Sequence, residues 1–172
     1  MDKRVATVAV LGALALAGCG RGGNAASPAD ASRPARVGRT APGWNEPSLP
    51  GPSLTLASLH GKAIYLNFFA TWCPPCNSEA PALDALQREY GDRGLQVVGV
   101  DVLENARKAS LFRNEHHLSY PVVIDGGTLR DQYNVNGLPV HVFIDRGGVV
   151  RKIVVGELSP SDMRSNVERL LR

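Results

Sequence analysis

The sequence predicts an α/β domain in which a mixed central β-sheet carries helices on both faces. Two observations lead to this prediction. Apolar runs typical of strands first alternate with amphipathic helical segments. Two further apolar runs then flank Arg146-Gly147-Gly148, which is a β-hairpin signal, and a last helical segment follows them. This order of elements predicts a mixed sheet.

The first predicted elements surround a pair of cysteines. A short strand is predicted at 54–57, and a second at 63–69, where a nearly unbroken apolar and aromatic run follows Gly61. Such a run is typical of a strand buried on both faces, at the centre of a sheet. A helix is then predicted to reach about Tyr90, before Gly91, because apolar residues recur at spacings of three and four: Ala80, Leu83, Leu86 and Tyr90.

The remaining elements repeat this pattern and then close the fold. We predict, in order, a strand at 95–101, a helix at 104–117, a short strand or extended segment at 120–125 and a helical turn or two at 128–133. The hairpin strands are predicted at 140–145 and 149–155. The final helix starts at Ser159, and its apolar face carries Met163, Val167 and Leu170.

The N-terminus has the charge and length of a secretory signal. Lys3 and Arg4 precede an apolar run over 5–17, and a run of about 13 residues is shorter than the roughly 17–25 that a transmembrane helix needs. The run ends in Leu16-Ala17-Gly18-Cys19, which resembles the lipobox of bacterial lipoproteins. This resemblance implies that residues 1–18 are removed and that Cys19 is lipidated. An ordinary signal peptide with an incidental cysteine is the alternative.

A tether is predicted at 19–50. Its composition is dense in Gly, Ala, Ser, Pro and Arg, with almost no large aliphatic residues, so it is not expected to build a core. Trp44 interrupts this composition, and we expect it to pack against the edge of the domain rather than to bind a ligand. The remaining residues, 51–172, form one domain of ordinary size.

The charge of the chain indicates no nucleic-acid partner. The formal net charge is +3, and removal of residues 1–18, which hold Lys3, Arg4 and Asp2, lowers it to +2. Arginines near the start of the tether could lie close to anionic lipid, but a solvated linker is the favoured explanation.

Cys73 and Cys76 predict redox chemistry. They stand at the junction between the predicted buried strand and the helix that follows it, where the unpaired N–H groups and the dipole of the helix stabilise a thiolate. Pro74 suits the first position of that helix because it has no N–H to leave unpaired. Cys73 is therefore the expected attacking thiol, and Cys76, one turn deeper, the less exposed resolving thiol.

Three other interpretations of the cysteine pair compete with redox chemistry: a zinc site, haem attachment and a structural disulfide. A zinc site needs about four ligands, and the chain has no second Cys-x-x-Cys and no suitably spaced histidine pair. Covalent haem attachment needs a histidine directly after the second cysteine, where this chain has Asn77. A purely structural disulfide stays open, although closing so short a loop removes little entropy from the unfolded chain.

Several separate segments of the chain occur together in one known family. They are Asn67 to Cys76, Glu79-Ala80-Pro81, the extra helix and strand between Asp101 and Tyr133, and Gly137-Leu138-Pro139 before 142–145. Together they resemble the thioredoxin fold, specifically the membrane-tethered TlpA/ResA/CcmG-type thiol–disulfide oxidoreductases of bacterial envelopes, which carry a βα insertion in the middle of that fold. The match covers about residues 50–172.

The resemblance implies further site residues. In that family the proline that matches Pro139 is cis and lies beside the cysteines, and the residue before it, here Leu138, offers backbone hydrogen bonds to the substrate chain. Trp72, Pro74 and Pro75, next to the cysteines, are assigned to substrate binding on the same grounds. One departure concerns the residues after the cis proline, where relatives usually have threonine and this chain reads Val140-His141.

Proton transfer at the resolving thiol is assigned to Glu79. Thioredoxin has a buried aspartate six residues before the first cysteine, but that position is Asn67 here, which cannot act as a base. Glu79 matches an acidic residue near the active site of ResA-type proteins and follows Cys76 by about one helical turn. A glutamate stabilised by the helix dipole and simply solvated is the alternative. The four histidines, His60, His116, His117 and His141, are expected to be surface or packing residues.

We therefore expect an enzyme that reduces disulfides of envelope proteins, for example in cytochrome c or oxidase assembly. It would be lipid-anchored at the periplasmic face of the bacterial envelope, monomeric, recharged by a membrane thiol donor, and without metal or any cofactor beyond its redox-active Cys73–Cys76 disulfide. The alternatives are a disulfide-forming oxidant and a non-catalytic scaffold with a structural disulfide. A peroxidase is not favoured, because peroxiredoxins have threonine three residues before the reactive cysteine and this chain has Ala70.

Overall fold

The computed structural model describes residues 33–172, so the predicted signal peptide, Cys19 and the first part of the tether lie outside it. The strands are β1 (Asn45–Glu46), β2 (Ser48–Leu49), β3 (Leu54–Thr55), β4 (Ala63–Phe69), β5 (Leu95–Val102), β6 (Val122–Asp125), β7 (Val140–Ile144) and β8 (Val150–Val155). The helices are α1 (Pro74–Tyr90), α2 (Ala106–Glu115), α3 (Thr128–Gln132) and α4 (Pro160–Leu170). Within 33–172, no helix has both the length and the apolar character needed to cross a bilayer.

Six strands form one mixed sheet in the order β2-β6-β5-β4-β7-β8. β4, β5 and β6 are parallel to one another, whereas β7, β8 and β2 run antiparallel to their neighbours. All residues of β4 are buried, as its apolar run predicts for a central strand. The predicted α/β architecture with a mixed sheet is therefore confirmed.

Apolar cores lie on both faces of the sheet. One face packs against α1, α2 and α4, and its core includes Leu83, Phe112 and Val167. The other face packs against α3 and an N-terminal segment, and its core includes Trp44 and Leu129. The predicted helices on both faces are thus present, and the inserted helix and strand of the resemblance are α2 and β6.

Most predicted element bounds agree with the structure to within a few residues. The predicted first strand is shorter, because a 3₁₀ turn at Ala57–Leu59 follows β3. The helix predicted to start at 104 begins at Ala106, because Asn105 has extended backbone and its side chain accepts a hydrogen bond from the Lys108 N–H as the N-cap. Ser159 caps α4 in the same way, by accepting from the Asp162 N–H.

The predicted tether boundary at residue 50 differs from the structure. Residues 35–49, which we call the N-terminal strap, pack along the domain: Ala41 and Trp44 are buried, and β2 pairs with β6 at the sheet edge. Thr40 forms an isolated β-bridge with Val149, which directly precedes β8 at the opposite edge of the sheet. Trp44 contributes to the core itself, which is more than the edge packing that its sequence context predicts. The domain therefore begins near residue 35.

Candidate active site

Cys73 and Cys76 lie where β4 ends and α1 begins, and they form a disulfide with Cα atoms 5.3 Å apart. Cys73 is the N-cap residue of the 17-residue helix α1, and Pro74 occupies its first turn. Cys73 therefore stands at the positive end of the helix dipole, although Pro74 and Pro75 supply no N–H groups to the first turn. This position favours the thiolate form once the disulfide is reduced.

The two cysteines are buried, whereas the residues next to them are exposed to solvent or half-buried. Cys73 and Cys76 are only 3% and 1% exposed, so the expected difference between an accessible and a covered thiol is small in the disulfide form. Trp72, by contrast, is 69% exposed. Pro74 is also exposed and Pro75 half-buried. The residues assigned to substrate binding beside the cysteines thus form the accessible rim of the site.

The loop that leads into Cys73 is held from two sides. Glu104 accepts hydrogen bonds from the Thr71 N–H (2.6 Å) and the Thr71 hydroxyl (3.0 Å). From α1, the Asn77 side-chain amide donates to the carbonyls of Thr71 (3.0 Å) and Cys73 (2.8 Å). His116 Nε2 lies 3.2 Å from Asn77 Oδ1 and orients that amide. Glu104 and Asn77 are site residues that sequence reasoning missed.

A buried carboxyl pair lies behind this loop. Asp101 is fully buried and is the register partner of Phe69, four residues before Cys73. Burial, and then the charge of the nearby Glu104, raises the pKa of Asp101 to about 8, although Lys108 opposes this shift. For Glu104, burial acts to raise the pKa, but hydrogen bonds from Thr71 and Lys108 outweigh it and lower the pKa. Asp101 is therefore the protonated member of the pair at neutral pH.

Asp101 is expected to make the stability of the fold depend on pH. Its folded pKa of about 8 lies above the roughly 3.9 of an unfolded aspartate. The contribution of protonated Asp101 to the free energy of unfolding is therefore fully present below about pH 4 and is lost as the pH rises through 8. The Asp101→Asn variant should show a free energy of unfolding about 1–3 kcal/mol above that of the wild type at pH 9, measured by urea unfolding. It should show a smaller difference at pH 5.

The matched control for this prediction is Asp92→Asn, because Asp92 is exposed. That variant should follow the wild-type pH dependence throughout. A wild-type and an Asp101→Asn curve that stay parallel between pH 4 and 9 would contradict the assignment of the titrating group to Asp101.

The Leu138–Pro139 peptide bond is cis, in agreement with the resemblance. Pro139 is buried and directly precedes β7, where Val140 is the register partner of Phe68 near the end of β4. Its carbonyl accepts a hydrogen bond from the Gly156 N–H, which fixes this segment to the end of β8. The segment Leu138–Pro139 therefore lies beside the end of β4 that leads to Cys73.

Glu79 is buried, at 3% exposure, and is not the solvated residue of the alternative interpretation. Its Oε1 accepts a hydrogen bond from the Leu158 N–H at 2.7 Å and lies 3.5 Å from His141 Nε2. His141 is completely buried and contacts the Tyr65 hydroxyl and the Asn67 amide. His141 thus belongs to a buried polar cluster that also contains Asn67. The sequence analysis did not predict this cluster.

No group of three or more His, Cys, Asp or Glu side chains able to hold a metal ion occurs within residues 33–172. The two cysteines of this region are bonded to each other. The absence of a metal from the enzyme stays a prediction.

Comparison with known proteins identifies the family. The Redoxin family model matches residues 36–171. The chain is 31% identical over 136 residues to the thiol-disulfide oxidoreductase ResA of Bacillus cereus, covering 78% of this chain and 79% of that one. It is 34% identical over 134 residues to the thioredoxin-like protein YneN of Bacillus subtilis, covering 76% and 78%.

A solved structure agrees with the sequence relatives. The crystal structure of a thiol:disulfide interchange protein of the thioredoxin family from Chlorobium tepidum superposes with a TM-score of 0.72 at 33% identity, covering 82% of this chain and 99% of that one. The predicted thioredoxin fold is confirmed by this likeness. The chain therefore belongs to the Redoxin family, and its relatives and its paired cysteines make it a thiol–disulfide oxidoreductase.

Proposed function

We propose that the chain reduces disulfides of extracytoplasmic proteins, with Cys73 as the nucleophile and Cys76 as the resolving thiol. The observation that carries this proposal is the position of Cys73 at the N-terminus of α1, bonded to Cys76 and next to the exposed Trp72. A thiolate at this position is stabilised, which makes Cys73 the attacking sulfur. The reducing direction is proposed from the likeness to ResA, because a stabilised thiolate alone would raise the reduction potential.

The reaction has two exchange steps. The Cys73 thiolate attacks one sulfur of the substrate disulfide, which forms a mixed disulfide and releases the first substrate thiolate. Cys76 then loses its proton and attacks Cys73, which releases the second substrate thiolate and leaves the Cys73–Cys76 disulfide. Two electrons pass to the substrate. Glu79 is our candidate to accept the proton of Cys76, and this assignment is supported by the burial of both residues and by their spacing of one helical turn on α1.

We assign substrate binding to the surface beside the disulfide, which is formed by Trp72, Pro74, Pro75 and Leu138–Pro139. The half-buried Leu138 and the cis Pro139 precede an extended strand, so a substrate peptide could lie along them by backbone hydrogen bonding. We assign the substrates to disulfide-containing envelope proteins, such as those of cytochrome c or oxidase assembly. A membrane thiol donor would return the disulfide to the dithiol.

The location follows from the same proposal. A signal peptide at 1–18 and a lipidated Cys19 would hold a monomeric domain at the periplasmic face of the membrane. The chain between Cys19 and the strap is shorter than the predicted tether of 19–50, because the strap packs on the domain from about residue 35. The domain would therefore work closer to the lipid surface than the composition of the tether suggests.

The reduction potential tests this function against that of a disulfide-forming oxidant. The full-length Cys19→Ser variant, in which Cys73 and Cys76 are the remaining thiols, is equilibrated in dithiothreitol and glutathione buffers and followed by Trp72 fluorescence and thiol alkylation. We expect a value of about −250 mV or lower, whereas one near −120 mV would show an oxidant. A disulfide that dithiothreitol leaves intact in the folded protein would instead show a structural staple.

A further inference from the structure

A cluster of buried polar side chains lies on the side of the sheet that faces α1. Its members are Tyr65 and Asn67 on β4, His141 on β7 and Glu79 on α1, and each is at most 3% exposed. Asn67 and His141 are register partners, and Tyr65 precedes Asn67 by two residues, so the three strand side chains share one face. The reaction steps above use only Glu79 from this cluster.

The hydrogen bonds define which ring nitrogen of His141 carries the proton. The Tyr65 hydroxyl lies 2.9 Å from His141 Nδ1, and the Asn67 side-chain amide nitrogen lies 3.3 Å from the same atom. The amide nitrogen of Asn67 carries hydrogens and can only donate, so Nδ1 is the acceptor and the Tyr65 hydroxyl donates to it as well. The ring hydrogen of His141 is then on Nε2.

His141 Nε2 lies between two oxygen atoms. It forms a hydrogen bond with the Gly156 carbonyl at 3.2 Å, and it lies 3.5 Å from Glu79 Oε1. Oε1 also accepts from the Leu158 N–H, whereas the buried Oε2 has no hydrogen-bond partner within residues 33–172. The two oxygens of Glu79 therefore have different surroundings: Oε1 accepts from the Leu158 N–H and lies beside His141, whereas Oε2 has neither contact.

We propose that His141 is a positioning residue for disulfide exchange, which holds Oε1 of Glu79 so that the unpartnered Oε2 receives the proton of Cys76. The inference rests on the proposed function and adds a residue to its second step. When Cys76 attacks the mixed disulfide, the S–S bond between Cys73 and the substrate breaks, a new S–S bond joins Cys73 and Cys76, and the proton from Cys76 passes to Oε2. His141 itself neither gives nor takes a proton in this step.

A chromogenic aromatic disulfide, 5,5′-dithiobis(2-nitrobenzoate), separates the two steps. Reduced full-length protein in the Cys19→Ser background releases one coloured thiolate when Cys73 attacks and a second when Cys76 resolves the mixed disulfide. Glu79→Gln should slow only the second release, by about a hundredfold, because it removes the proton acceptor. A wild type without a second release, or a Glu79→Gln variant with a normal one, would overturn the proposed function or the role of Glu79 before His141 is considered.

Two substitutions of His141 separate its two nitrogens. In His141→Asn the side-chain oxygen can still accept from Tyr65 at the Nδ1 position, but the amide is too short to reach Glu79. In His141→Gln the longer amide can donate at the Nε2 position. We expect His141→Asn to slow the second release about tenfold, because the polar contact with Glu79 Oε1 is lost, with an unchanged first release. His141→Gln should stay within about threefold of the wild type.

The double variant and a control complete the test. In a Glu79→Gln background, His141→Asn should cause no further slowing, because a residue that acts through Glu79 has nothing left to position. The control His60→Asn changes an exposed histidine and should leave both releases unchanged. Equal slowing by Asn and Gln at position 141, slowing of the first release, or full slowing in the Glu79→Gln background would each overturn the inference in favour of a purely structural His141.

Discussion

Cys76→Ser is expected to stop the enzyme at its mixed disulfide and to lower turnover with a disulfide-containing protein by more than about a thousandfold. The reason is chemical, since a serine hydroxyl at the position of Cys76, one turn along α1 from Cys73, cannot attack the mixed disulfide as a thiolate does. Cys73 should still attack, because its place at the helix N-terminus is unchanged. In the Cys19→Ser background, non-reducing electrophoresis and intact mass should therefore show a covalent one-to-one adduct with the substrate.

Two further variants give this experiment its controls. Cys73→Ser should lose turnover to the same extent but form no adduct, because the attacking thiol is gone. Ser78→Ala should keep wild-type turnover, because Ser78 is exposed and its hydroxyl bonds only to the Pro75 carbonyl among the hydrogen bonds described. Turnover by Cys76→Ser, or an adduct that forms equally well with Cys73→Ser, would refute the order of the two steps.

Trp44→Ala is expected to destabilise the domain by about 3–5 kcal/mol, because it removes a large side chain that is 7% exposed from the core between the strap and the sheet. Domains of this size have free energies of unfolding of about 5–15 kcal/mol, so the loss is a large share of the total. Urea unfolding of the full-length chain, followed by circular dichroism, measures it. A chain that starts at Gly51 loses the whole strap and should not fold stably.

Val37→Ala is the matched control within the same segment, because Val37 is 59% exposed. It should change the free energy of unfolding by less than about 0.5 kcal/mol. A Trp44→Ala variant as stable as Val37→Ala would mean that the strap is dispensable and would restore the domain boundary at residue 50.

The contrast between β4 and the strap shows which parts of the fold sequence reasoning can reach. The bounds of β4 and α1 agree closely with the prediction. The apolar run that predicts β4, and the proline and the spacing of apolar residues that predict α1, all lie within a short stretch of sequence. The strap has strands of two residues in a segment rich in proline and glycine. Its pairing is decided by partners such as Val123 and Val149, far along the chain, and no local pattern carries that information.

The same division holds within the site. Cys73, Cys76 and Glu79 follow from one local motif, and their positions were predictable. The contact of Glu104 with Thr71 joins residues 33 positions apart, and that of His141 with Asn67 joins residues 74 apart. A signal was present in both cases: an acidic residue just past the end of a parallel strand, and a histidine two residues after the cis proline. Neither signal says which residue it contacts, because register and packing of the sheet decide that.

The attachment of the strap also determines how the domain would bear a mechanical load. The strap pairs with the turn between β7 and β8, where Ala41 donates to Gly148, Gly38 donates to Val150, and Val150 donates to Arg39. This turn lies at the end of β7 opposite to Pro139 and therefore at the opposite end of the sheet from Cys73. Tension applied at the N-terminal end of the strap would first strain the hydrogen bond from the Ala35 N–H to the Gln132 carbonyl and then these three. The strap would peel from the edge while the loop around Cys73 stayed unstretched, so a pulled domain would keep its reactive end intact until the strap had been released.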